Sequence, residues 1–131
     1  MAGVEVLDFF NLSSQLEKSG LTWNPEIGDE VADRVTATTL ILVDNKGLTP
    51  NQLRKLFLWL PRLEQMIEQI EARQAIISHF GFSTLPKNSG YLVEIQFRES
   101  VLSATHPDSR LAIGLGLLKL LQCINKVNFV H

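Results

Sequence analysis

The chain has 131 residues, 45% hydrophobic and 20% charged, with a formal net charge of −2. That size and balance fit a single globular domain, 1–131, and exclude a disordered chain. Charges of both signs are scattered, so no basic footprint for nucleic acid or an anionic membrane surface exists, and no apolar run reaches the ~18 residues of a membrane span.

The single cysteine rules out an internal disulfide framework and fits a reducing compartment, with the cytoplasm expected. Met1 to Asp8 has no basic segment and carries Glu5 and Asp8 early, so no signal peptide is expected.

Val4 to Ser19 reads as a helix, with Val6, Phe9, Phe10, Leu12 and Leu16 on one side and Gly20 as its stop. Leu21 to Gly28 is a loop. Val31 to Val43 is rich in Val, Thr and Ile and reads as one long strand or a tight strand pair. Asp44 to Gly47 then turns the chain.

Thr49-Pro50-Asn51-Gln52 is a capping box with proline at the first helical position. From there Leu53, Leu56, Leu60, Leu63, Ile67, Ile70 and Ile77 recur at helical spacing. One long helix over Thr49 to His79 is expected. Pro61 costs it about 3 kcal/mol and either kinks or ends it; the apolar seam, which keeps its phase across the proline, favours the kink.

Tyr91, Val93, Ile95 and Phe97 alternate with Leu92, Glu94, Gln96 and Arg98, a strand with one wet face. Ser100 to Thr105 is its expected hairpin partner. Asp108 or Ser109 caps a last helix, apolar on nearly every side from Leu111 to Ile124, and Val127 and Phe129 could add a short strand. The expected class is α+β: an antiparallel sheet with the long kinked helix and the apolar C-terminal helix on one face, arranged as two tandem ββα-like units.

No known catalytic motif is matched in this chain, which leans the reading away from an enzyme without deciding it. His79, His106 and His131 lie apart, without metal-ligand spacing. Cys123 reads as a small buried hydrophobe. Gly114-Leu115-Gly116 lacks the third glycine of a dinucleotide loop and reads as close packing of helix on sheet. No catalytic residue, cofactor site or metal site is expected.

The clearest departure from an ordinary fold is Leu56-Phe57-Leu58-Trp59-Leu60, which on a helix would point all round its axis. Either the first helix, with Phe9 and Phe10, covers the surplus, or a partner does. Along the same helix Arg54, Lys55 and Arg62 precede Glu64, Glu68 and Glu71, against the macrodipole, an order that suits two antiparallel copies. The expected function is a non-catalytic protein-interaction or regulatory module, homodimeric through the 50–79 helix, with Phe57, Leu58, Trp59 and Arg62 at the interface. The alternative is a small enzyme or ligand-binding protein whose pocket between sheet and helices uses Glu94, Arg98 and His106. Neither nucleic acid nor a membrane is an expected partner.

Overall fold

A computed structural model of the chain describes residues 8–84 and 89–130. Among these residues it is an α+β protein with four helices and two antiparallel three-stranded sheets. The chain divides into two compact units between Arg62 and Leu63, each described below by itself.

The first unit begins with α1 (Phe9–Lys18), capped by Asp8, whose side chain accepts from the Asn11 N–H. Gly20 follows with a φ of 114°, the left-handed conformation that stops a helix. Val4 to Leu7, where the apolar pattern places the helix start, lie outside the described residues. The Val- and Thr-rich stretch is a strand pair: β1 (Glu30–Asp33) and β2 (Thr39–Ile41) run antiparallel. Asp33 builds the turn between them, its carboxylate accepting from the backbone N–H of Val35 and Thr36.

The capping box forms as read. The Thr49 hydroxyl accepts from Gln52 N at 3.2 Å, and the Gln52 side chain accepts from Thr49 N at 2.9 Å. The helix it opens, α2 (Pro50–Leu56), is short. The expected continuous helix over Thr49 to His79 is corrected here. Phe57 turns extended at φ −126°, and Phe57–Trp59 forms β3, antiparallel to β1. The physical reason is two-sided burial. Strand side chains alternate, so a continuous apolar run suits a strand covered on both faces. Phe57 and Trp59 enter a cluster with Trp23, Val31, Leu42 and Leu53. Leu58 and Leu60 enter another with Ala32, against Phe9 and Phe10 of α1. Pro61 adds to the break by disfavouring helical geometry at Leu60.

In the second unit, α3 (Leu63–Ala72) buries Met66 and Ile70. Two residues beyond its end Gln74, the one seam position that is not apolar, stands in the left-handed region at φ 63°. Three strands follow as a meander: β4 (Ile76–Ser83), β5 (Gly90–Phe97) and β6 (Ser100–His106), in that spatial order. The last helix, α4 (Ser109–Val130), is capped by Asp108, whose carboxylate accepts from Leu111 N. It continues through Val127 and Phe129, correcting the expected terminal strand. Within the helix the Val127 and Phe129 N–H groups bond carbonyls one turn back, partners that an isolated strand would lack.

The greasy circumference of α4 is explained by what touches it: β5 and β6 on one side, α3 on another. Gly116 permits the closest approach to the sheet. A Cβ there would stand 3.0 Å from the Ile95 Cδ1 and 3.1 Å from a Val93 Cγ.

Candidate functional site

The expected interface residues are mostly used internally. Leu58 is only 2% exposed, while Leu56, on the expected seam, is 51% exposed. Phe57 is also buried and Trp59 is partly buried. The Trp59 indole N–H is buried and meets no acceptor among the described residues. The Arg62 guanidinium donates to the Gly28 carbonyl at 3.0 Å, closing the loop before β1. Breaking the helix also removes the charge argument for antiparallel pairing. Arg54 and Lys55 now fall in the last turn of α2, and Glu64 in the first turn of α3. Both placements favour the helix dipoles they meet.

The rest of the polar inventory of the first unit is architectural. Asp29 is buried and accepts from the Trp23 indole N–H at 2.8 Å and from Glu26 N at 3.0 Å. Arg34 grips Glu17 with both guanidinium nitrogens and donates to the Arg54 carbonyl, tying α1 to the end of α2. Asp33 is held below the usual carboxylate pKa, first by the Thr36 N–H and then by the Val35 N–H.

The alternative pocket groups are not brought together. Glu94 lies mid-strand in β5. Arg98 stands in the turn after β5 at φ 58°, its guanidinium over the Phe97 ring. His106 ends β6, its Nδ1 accepting from Asp108 N at 2.9 Å. Arg98 and His106 therefore occupy opposite ends of the hairpin, roughly 20 Å apart along the strand. Among the described residues no group of three His, Cys, Asp or Glu is placed to hold a metal.

What the second sheet does offer, among the described residues, is an open face and an open edge. Residues paired in register share a face. Phe80–Val93–Ala104 and Ile77–Ile95–Leu102 form the covered rows. The opposite rows are Ile76–Gln96–Val101, His79–Glu94–Ser103 and Gly81–Leu92–Thr105. They stand largely in solvent, with Ile76 63% and Val101 64% exposed.

The four sheet edges differ. Those of the first sheet, β2 and β3, are three residues long, and shortness is one way proteins protect an edge. The β6 edge receives the Lys119 ammonium, which donates to the Ser103 carbonyl. The β4 edge is eight residues long and contains no Asp, Glu, Lys, Arg or Pro. In the sequence this edge is hidden because Ile77 falls in phase with the helical seam. The signal was present in the β-branched and aromatic run Ile76-Ile77-Ser78-His79-Phe80-Gly81-Phe82.

No family model, curated protein or solved structure matches this chain.

Proposed function

We propose that this chain is a non-catalytic protein-interaction module that associates with itself. The observation behind this reading is the second sheet, which carries exposed Ile76, Val101 and Phe82 beside a long, uncharged edge. Uncovered apolar surface and unguarded strand edges are the features that proteins use, or suffer from, in association. The dispersal of Glu94, Arg98 and His106 gives a pocket reading no comparable support. Among the described residues no helix is long and apolar enough to cross a membrane. A lone cysteine, partly buried in α4, is compatible with action in the cytoplasm.

This reading places the interface on the second sheet instead of Phe57, Leu58, Trp59 and Arg62, for which no continuous helix exists. Sedimentation equilibrium of the whole chain is the test. The expected result is a mass rising from 14.7 kDa toward twice that value as concentration increases. A constant monomer mass up to several hundred micromolar refutes self-association.

A further inference from the structure

We infer that the partner surface is the β4 edge, paired antiparallel with the β4 of a second copy about a two-fold axis through Gly81. This rests on the self-association reading and adds the location and register.

The occupant follows from the strand itself. Pairing across a two-fold axis matches each residue with one equally far on the other side of the centre. The segment must then be complementary to its own reverse. His79-Phe80-Gly81-Phe82-Ser83 meets that requirement, with Phe80 and Phe82 flanking Gly81. Centred on Gly81, each Phe80 lies opposite the other copy's Phe82, and each His79 opposite its Ser83. Both phenyl rings lie on the covered side of the sheet, in the rows of Val93 and Tyr91. Phe82 is 59% exposed and meets the Tyr91 ring edge-on at 5.2 Å, so its outward side is available for a cross-strand aromatic pair.

Geometry favours the same register, and charge opposes none. The irregularity in pairing lies between Ile77 and His79, where the Ser78 hydroxyl donates to the Glu94 carbonyl. From His79 to Ser83 the pairing with β5 is continuous, so the stretch assigned to the dimer is regular strand. No residue of β4 carries a formal charge with histidine neutral, so no like charges face each other across the axis. Gly81 puts no side chain at the axis. A short paired edge belongs to the small end of interfaces, which predicts a reversible dimer of roughly micromolar affinity.

The test uses charge at the axis. A Cβ added at Gly81 meets only the His79 ring, at 3.6 Å, so each subunit accommodates substitution there. Gly81→Lys and Gly81→Glu each place like charges face to face in a homodimer, while a mixture places opposite ones. Sedimentation equilibrium is run on wild type, each variant and the equimolar mixture, with circular dichroism confirming the fold. Val35→Lys, at a 93% exposed position in the first unit, is the control. Each Gly81 variant should weaken dimerisation about two- to fivefold and the mixture should recover most of it, with the control unchanged. Wild-type dimers insensitive to both variants overturn the location and leave self-association standing. Weakened variants that the mixture fails to rescue overturn the axis through Gly81. A monomeric wild type overturns both.

Discussion

Leu56 and Leu58 separate the two ways of folding the apolar middle of the chain. On a helix they lie about 200° apart, so a helical seam containing Leu56 leaves Leu58 facing outward. As the end of α2 and the middle of β3, their roles invert. Leu58 is 2% exposed, enclosed by Ala32, Leu60, Phe9 and Phe10, while Leu56 is 51% exposed. Leu58→Ala removes buried methyl groups between α1 and the sheet and should cost about 3 kcal/mol. Leu56→Ala, at a half-exposed position, should change stability by no more than about 0.5–1 kcal/mol. With a urea slope of about 1–3 kcal/mol per molar, the Leu58 variant should melt roughly 1–3 M earlier. Both tryptophans, Trp23 and Trp59, lie in the first unit, so their fluorescence follows its unfolding. Equal effects, or a larger loss at Leu56, would show that the β3 strand is wrongly assigned.

Asp29→Ala strips the acceptor from the buried Trp23 indole and from the Glu26 N–H. It should destabilise the first unit by about 1–3 kcal/mol in urea unfolding, with a shift in Trp23 emission. Ser13→Ala should act in the opposite direction. The Ser13 hydroxyl is buried in α1 with no partner among the described residues, so its removal should stabilise by about 1 kcal/mol, read as a raised urea midpoint. Gly116→Val forces a branched side chain against Ile95 and Val93, and thermal unfolding should show a loss of about 1–3 kcal/mol. Asp33 has a folded pKa depressed below its unfolded value, so its stabilising contribution is present above the unfolded pKa and fades as pH falls through the folded one. An acid titration of Asp33→Ala by tryptophan fluorescence should show a weaker loss of stability below about pH 4 than wild type.

Local, self-contained signals were legible in the sequence. The Thr49 cap, the Gly20 stop, the Tyr91–Phe97 alternation and the Asp108 cap each depend on a few neighbouring residues and the chemistry of one turn or face. The middle of the chain misled because Leu53, Leu56, Leu60 and Leu63 keep helical spacing although Phe57–Trp59 is a strand. Whether such a run is buried on one face or two depends on β1 and α1, which are distant in sequence. The charge order from Arg54 to Glu71 was the available warning. It opposes the dipole of one long helix and suits the dipoles of two short ones. The β4 edge was illegible for a related reason. An edge is defined by which strand neighbours are missing, and only the sheet order β4-β5-β6 reveals that.

Hydrogen exchange of the β4 amides, followed by mass spectrometry over a range of protein concentrations, addresses the association claim most directly. Protection across 79–83 should rise with concentration in step with the sedimentation mass, while the amides of β6 stay constant. A dimer whose β4 amides exchange at the same rate at every concentration would contradict the account.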